Sequence, residues 1–126
     1  MKKVLVVDDE VFIRKMIEAR LKPAGIAVIQ AQNGMEAVEK AASEMPDIII
    51  MDVMMPKMDG FKACEAIRSN PAVSSIPILM LTARGQAADM EKAMALGIIE
   101  YITKPFSPKD LADKVVGILN TVRSKE

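Results

Sequence analysis

The segment Ile48-Ile49-Ile50-Met51-Asp52-Val53-Met54-Met55-Pro56-Lys57-Met58-Asp59-Gly60 decides the fold of this chain. The four apolar residues that open it are typical of a strand buried on both faces, and they lead directly to the carboxylate of Asp52. Pro56 and Gly60 then indicate a turn. Open α/β sheets place their chemistry at the carboxyl ends of central strands. We therefore take Asp52 as the centre of the candidate site.

The composition is that of an ordinary globular domain. The 126 residues are 51% hydrophobic, and 17 Lys and Arg balance 17 Asp and Glu. This length allows a hydrophobic core without disulfides or metals. A net charge of zero gives no electrostatic footprint for nucleic acid, and the apolar runs are too short to cross a bilayer. No signal-peptide pattern follows Met1, and Cys64 has no second cysteine to pair with, so we expect a cytoplasmic location.

The sequence contains no histidine. This absence excludes histidine-based catalytic triads, imidazole metal sites and a histidine phosphocarrier from the chain's own side chains. Any histidine that takes part in its chemistry has to come from a partner.

Strand-like and helical segments alternate five times at intervals of about 25 residues, which predicts a parallel sheet with helices on both faces and right-handed crossovers. Gln30 and Glu100 interrupt the second and fifth strands, as is typical of edge strands. The pattern fits a doubly wound sheet of order 2-1-3-4-5, although other orders with the same edges stay open. The predicted strands are Val4–Val7, Ile26–Ala31, Ile48–Met51, Ile76–Leu81 and Ile98–Ile102.

Capping signals mark the ends of several helices. Asn33 followed by Glu36 is typical of a capping box. Ser107, Pro108 and Asp110 suit the N-cap, N1 and N3 positions of the last helix. The expected buried residues are Met35, Val38, Ala41, Ala42 and Met45 in the second helix, and Met90, Ala93 and Met94 in a fourth helix running roughly from Gln86 to Leu96, with Gly97 as its C′ residue.

Acidic residues follow two strands that are neighbours in this order. Asp8, Asp9 and Asp52 converge there, and two like charges ~4 Å apart repel by about 4 kcal/mol at an effective dielectric of ~20. The cluster therefore needs a counter-charge or a proton, and an oxygen-only donor set best suits Mg²⁺. Lys104 and the Thr82 hydroxyl reach the same edge from strands five and four. These groups are the ones that phosphoryl transfer uses.

Each of these residues taken alone is weak evidence. An aspartate at the end of a strand is usually a turn residue, and a lysine or threonine there is usually solvated. The joint placement of five such residues at four strand ends is what favours a functional site.

The sequence resembles the receiver domain of two-component response regulators over essentially its whole length, residues 1–126, and is closest in form to the single-domain chemotaxis-type and phosphorelay-type regulators. The resemblance is carried by Val7-Asp8-Asp9, Met51-Asp52 with Pro56 and Gly60, Leu81-Thr82-Ala83, Tyr101 and Lys104-Pro105-Phe106. It implies the flavodoxin-like (βα)5 fold with order 2-1-3-4-5.

The resemblance also implies a set of roles at the site. Asp52 would accept a phosphoryl group from a histidine of a sensor kinase or a histidine phosphotransferase. Asp9 and Asp52 would bind Mg²⁺ directly together with the backbone carbonyl of Met54, and Asp8 would act largely through a water. Lys104 would pair with Asp52 and later with the phosphoryl oxygens.

A switch follows from the same resemblance. Thr82 would donate a hydrogen bond to the phosphoryl group, and Tyr101 would follow from an outward to an inward rotamer. The surface of the fourth helix, fifth strand and fifth helix would then change for a protein partner, which would read Asp89, Glu91 and Lys92. The Lys104–Pro105 peptide would be cis. Such a protein catalyses only its own phosphorylation and dephosphorylation, and this domain would contact neither nucleic acid nor membrane.

Two residues would flank the path of the hydrolytic water in such a fold. Met54 and Arg84 lie two positions beyond Asp52 and Thr82. Because a thioether cannot orient water, we predict slow autodephosphorylation.

Two other classes of protein remain as alternatives. A Mg²⁺-dependent phosphohydrolase could use Asp52 as nucleophile, but such enzymes usually carry a second acid two residues later, where this chain has Met54. A flavodoxin-like binding module would need a phosphate-binding loop rich in Ser, Thr and Gly after the first strand, and none follows it.

Overall fold

The computed structural model describes residues 1–55, 58–83 and 89–124. Strands and helices alternate along it. The elements are β1 (Lys3–Val7), α1 (Val11–Leu21) with a short 3-10 turn after it (Lys22–Ala24), β2 (Ala27–Ala31), α2 (Gly34–Glu44), β3 (Ile48–Asp52), α3 (Gly60–Ser69), β4 (Ile78–Ala83), α4 (Asp89–Ala95), β5 (Glu100–Lys104) and α5 (Pro108–Ser124).

The five strands form one parallel sheet of order β2-β1-β3-β4-β5, so the predicted order is confirmed. Val7 of β1 pairs with Met51 of β3, and Asp52 pairs with Leu81 of β4. This register brings the ends of β1, β3 and β4 to the same level at one edge of the sheet. Gln30 and Glu100 lie on the edge strands β2 and β5, because only there can a polar side chain reach solvent.

The central strand β3 is buried on both faces, as its apolar run predicts. Ile49 and Met51 pack with residues of α2 and α3, whereas Ile48 and Ile50 pack with residues of α1 and α5. Successive side chains of a strand point to opposite faces, so one strand contributes to two separate cores. The site residues at its end are therefore held by a rigid three-layer frame.

The predicted caps are largely confirmed. Asn33 Oδ1 accepts a hydrogen bond from the backbone N–H of Glu36 at 2.9 Å, and Ser107 Oγ accepts one from that of Asp110 at 3.2 Å. In a capping box, the Glu36 carboxylate would accept from the backbone N–H of Asn33. Here it accepts from the backbone N–H of the preceding residue, Gln32. A further cap, not predicted, is Asp59, which caps α3 by accepting from the Lys62 N–H at 2.9 Å.

Helix α4 ends in a Schellman motif, as the glycine at position 97 predicts. Gly97 has φ of 70°, its N–H donates to the Met94 carbonyl, and the Ile98 N–H donates to that of Ala93. Ile98 belongs to this turn and the Ile99 N–H donates to the Ile78 carbonyl of β4, while β5 itself begins at Glu100 rather than at Ile98.

Several predicted core positions are wrong. Met35 and Met45 are about half exposed, and Met94 is 75% exposed. Ala41 is buried as predicted, but Ala42 is exposed, and α2 buries in addition its small residues Gly34 and Ala37, which allow it to pack closely on the sheet. Met45 lies beyond the end of α2 in a left-handed conformation, where it cannot continue the helical face. The hydrophobic pattern predicted that the large residues of α2 face the sheet, but the buried face of the helix is formed by its small residues.

Candidate functional site

The carboxyl ends of β1, β3, β4 and β5 meet at one edge of the sheet and bring the predicted residues together. Asp8 directly follows β1, and Asp52 is the last residue of β3. Thr82 is the second-last residue of β4, and Lys104 is the last residue of β5. Asp8, Asp52 and Thr82 are all buried, with 0%, 4% and 2% of their surface exposed. A buried carboxylate is costly unless a positive charge or hydrogen-bond donors lie beside it, so the groups around Asp8 and Asp52 define the site.

Lys104 supplies that compensation to both carboxylates. Its Nζ lies 2.9 Å from Asp8 Oδ2 and 3.4 Å from Asp52 Oδ1. Burial by itself would lower the pKa of Lys104, but the hydrogen bond and charge of Asp8 and the charge of Asp52 outweigh it and raise that pKa. The lysine therefore stays an ammonium at neutral pH.

One ammonium does not fully offset two carboxylates. Burial, and after it the negative charge of Asp8, raises the pKa of Asp52 to about 6, against the opposing effects of Lys104 and of a hydrogen bond from the Met54 backbone. Asp52 is still mainly ionised at neutral pH. The negative charge around it exceeds the positive charge, and this excess favours the binding of a further cation.

Asp8 is fixed through its backbone and its side chain. Its N–H donates to the Ala31 carbonyl of β2 at 3.1 Å, and Oδ1 accepts from the Glu10 N–H at 2.9 Å. With Oδ2 on Lys104, the side chain is clamped between the β1–α1 loop and β5. The carboxylate cannot turn away from the site without breaking these bonds.

The donor set fits a hard divalent cation. Carboxylate oxygens of Asp8, Asp9 and Glu10 lie within 4.8 Å of one another, and Asp9 and Glu10 are exposed. These donors, with Asp52 across the crevice, are all oxygens, which Mg²⁺ prefers. The excess of negative charge around Asp52 favours such an ion for the same reason that it raises the pKa. Glu10 was not predicted, although it follows Asp9 directly in the sequence.

Thr82 and Tyr101 contact each other beside this cluster. The Tyr101 hydroxyl donates to Thr82 Oγ1 at 3.2 Å from the neighbouring strand β5. Tyr101 is half-buried and packs against the core on the α2–α3 side of the sheet. The two residues expected to move together are thus already linked by a hydrogen bond.

Two glycines hold the loop that follows Asp52. A Cβ atom on Gly60 would collide with the Asp52 carbonyl oxygen, and one on Gly34 would collide with the Met58 carbonyl oxygen. The Gly60 N–H also donates to the Val53 carbonyl at 2.9 Å. Gly60 was predicted in a turn, but it is the first residue of α3, and glycine is required there by the close approach of the backbone.

Met54 lies on this loop with 61% of its surface exposed, next to Asp52. The Lys104–Pro105 peptide is cis, as expected. Pro56 and Arg84, the start expected for the fourth helix at Gln86, and the side chains of Asp89 and Met90 lie outside the described residues. Glu91 and Lys92, the other two residues of the predicted recognition face, are exposed. Within the described parts of the chain, no helix is long and apolar enough to cross a membrane.

Comparison with known proteins identifies the class. Residues 4–116 match the family model described as the response regulator receiver domain, so the chain belongs to that family. It is 47% identical over 117 residues to "Probable transcriptional regulator ycf27" of Guillardia theta, covering 93% of this chain and 45% of that protein. It is 44% identical over 118 residues to "Alkaline phosphatase synthesis transcriptional regulatory protein PhoP" of Bacillus subtilis (strain 168), covering 94% and 48%.

A solved structure agrees with this assignment. The chemotaxis response regulator CheY4 of Vibrio cholerae superposes with a TM-score of 0.85 at 38% identity, covering 94% of this chain and 98% of that one. The chain spans about half the length of the curated relatives that it matches. Those relatives are named as transcriptional regulators, whereas this chain corresponds to their receiver domain.

Proposed function

We propose that this chain is a phosphorylation-controlled switch in which Asp52 accepts a phosphoryl group from a phosphohistidine of a sensor kinase or histidine phosphotransferase. The observation that carries the proposal is the arrangement of Asp8, Asp52 and Lys104, in which two buried carboxylates share one ammonium. The family assignment supports it, and so does the lack of histidine in the chain, which leaves the donor imidazole to a partner.

The proposed reaction is an in-line transfer. A carboxylate oxygen of Asp52 forms a bond to phosphorus while the bond between phosphorus and the donor imidazole nitrogen breaks, and that nitrogen then takes up a proton. Lys104 lies where its ammonium can follow the charge from the carboxylate to the phosphoryl oxygens. Mg²⁺ would be held by Asp8, Asp9, Asp52 and the Met54 carbonyl. Its positive charge would offset the negative charge of the phosphoryl oxygens.

The donor protein would approach over α1. Val11 and Phe12 open this helix directly after the acidic loop, and they are 52% and 71% exposed. Apolar side chains exposed beside a charged crevice are typical of interaction sites. We propose that these two residues contact the partner that carries the histidine.

The response would be read on the surface of α4, β5 and α5. Thr82 would turn toward the phosphoryl group and leave the Tyr101 hydroxyl, which shifts Tyr101 and its neighbours. Met94 and Ile99 are exposed on this surface and are available to a downstream protein. We propose that the domain acts through this protein contact, in the cytoplasm, without itself binding nucleic acid or turning over other substrates.

Acetyl phosphate with Mg²⁺ tests the proposal directly. Intact mass should show a gain of about 80 Da, one phosphoryl unit, in the wild type and in Asp113→Asn, but not in Asp52→Asn. Asp113 is a suitable control because it is an exposed aspartate on α5. An adduct that persists in Asp52→Asn, or steady turnover of a phosphomonoester, would contradict the assignment.

A further inference from the structure

Arg14 reaches back from α1 to the acidic loop. Its side-chain Nη1 donates to the backbone carbonyl of Asp8 at 2.6 Å, and its backbone N–H donates to the Glu10 carbonyl at 3.3 Å. The arginine side chain therefore holds the Asp8 end of residues 8–10, whereas the bond to Glu10 is the ordinary backbone bond of the first helical turn. The side-chain bond spans six positions and is charge-assisted, which makes it stronger than a neutral hydrogen bond.

The guanidinium is itself held by a polar chain on the sheet edge. Arg14 Nε donates to Gln30 Oε1 at 3.0 Å, and Gln30 Nε2 donates to Glu18 Oε1 at 2.9 Å. Gln30 lies on β2 and Glu18 lies one turn beyond Arg14 on α1. Gln30, whose polar side chain indicated that β2 is an edge strand, thus fixes the orientation of Arg14.

A second side-chain restraint on this loop comes from Asp8 itself, whose Oδ1 accepts from the Glu10 N–H at 2.9 Å. Glu10 occupies the N-cap position but makes no capping hydrogen bond with its side chain. A loop that presents acids to a cation usually depends on such a cap or on a neighbouring side chain. Here Arg14 is that neighbouring side chain: it donates to the Asp8 backbone carbonyl, while Lys104 donates to the Asp8 carboxylate.

We propose that Arg14, oriented by Gln30 and Glu18, is a positioning residue that sets the geometry of the Asp8–Glu10 loop for divalent-cation binding. This inference rests on the proposed function, since it concerns the same metal site. Groups that orient ligands in this way typically change metal affinity by about 10- to 100-fold when they are removed.

The substitution Arg14→Lys tests this role most directly. Arg14→Lys keeps the charge but cannot bond Gln30 and the Asp8 carbonyl together, because it lacks the planar fork of the guanidinium. Arg20→Lys is the matched control, because Arg20 is an exposed arginine in the last turn of the same helix. Gln30→Leu keeps Arg14 and removes only its support, so it provides a second test if Arg14→Lys folds poorly.

Magnesium titration followed by backbone amide shifts of residues 9, 10 and 54 measures the affinity without any turnover. We expect the dissociation constant to rise at least tenfold in Arg14→Lys, less in Gln30→Leu, and not in Arg20→Lys. In parallel, the rate of phosphorylation by acetyl phosphate should need more Mg²⁺ for half-saturation but approach the wild-type rate at saturation.

Two results would overturn the inference. One is an affinity within twofold of wild type in both Arg14→Lys and Gln30→Leu, and the other is an equal loss in Arg20→Lys. If the wild type itself neither binds Mg²⁺ nor gains the phosphoryl adduct, the proposed function fails first. Failure of the positioning role alone leaves wild-type binding and phosphorylation intact.

Discussion

The Tyr101 hydroxyl donates a hydrogen bond to Thr82 Oγ1 at 3.2 Å, across the adjacent strands β5 and β4. Thr82 is almost fully buried beside Asp52, whereas Tyr101 lies half-buried toward the surface of α4. The pair is therefore a direct physical connection from the acidic crevice to the surface on which we propose a partner docks.

The chain has one tyrosine and no tryptophan, so its fluorescence reports on Tyr101 alone. We expect phosphorylation of the wild type to change tyrosine emission, because Thr82 leaves the phenol hydroxyl. Thr82→Ala should still gain the phosphoryl adduct but show a much smaller emission change. A full emission change in this variant would show that Tyr101 responds by another route.

Replacing Asp52 by asparagine should stabilise the metal-free protein at neutral pH. Folding raises the pKa of Asp52 from 3.8 to about 6, so the folded state binds more protons than the unfolded state between those values. The contribution of this group to stability therefore falls as pH rises through that window. We expect Asp52→Asn to be more stable than wild type by roughly 3 kcal/mol at pH 7 in EDTA, with the difference vanishing toward pH 4.

Urea denaturation at several pH values measures this difference. Saturating Mg²⁺ should reduce it, because the cation stabilises only the protein with an ionised Asp52. Asp113→Asn, at an exposed aspartate, should match the wild type throughout. A pH-independent difference for Asp52→Asn would indicate that packing, rather than ionisation, is responsible.

Removing the shared ammonium should destabilise the fold. Lys104→Met leaves Asp8 and Asp52 buried without their counter-charge, which costs about 3 kcal/mol at neutral pH. Lys109→Met removes a lysine that makes a highly exposed ion pair with Asp113, so it should change stability by less than about 0.5 kcal/mol. Equal losses in chemical denaturation would argue against a special role for Lys104.

The exposed Met54 should make the aspartyl phosphate long-lived. Met54 lies two residues beyond Asp52, and its thioether cannot orient an attacking water, whereas an amide can. We expect Met54→Asn to shorten the phosphoryl half-life several-fold, measured by intact mass after removal of acetyl phosphate. Met94→Asn, at an exposed methionine of α4, serves as control, and a faster-hydrolysing wild type would refute the prediction.

The exposed Phe12 should matter only for a protein donor. Phe12→Ala removes a side chain that is 71% exposed, so stability should stay within about 0.5 kcal/mol of wild type. Phosphorylation by acetyl phosphate should be unchanged, while transfer from a histidine-phosphorylated donor protein slows about tenfold. Ile99→Ala tests the other exposed surface and should leave both rates unchanged. A loss of both rates in Phe12→Ala would indicate a defect in the site itself.

The sequence alone determined the alternation of strands and helices, the edge strands and the convergence of Asp8, Asp52, Thr82 and Lys104. These features depend on local hydrophobic periodicity and on the rule that parallel strands end at the same edge. The alternation and the edge strands each involve only a few neighbouring residues, and the convergence of side chains distant in the sequence follows from the sheet order that they predict.

The tertiary structure decided what depends on residues far apart in the sequence. The burial of small residues on α2, the close approach of Gly60 to the Asp52 carbonyl, and the raised pKa of Asp52 arise only when separate elements pack. The Arg14 bond to the Asp8 carbonyl has no local motif, and its support comes from Gln30 on another strand. These relationships depend on how the elements pack against each other and on which groups become buried together. The hydrophobic periodicity of the sequence contains no information about them.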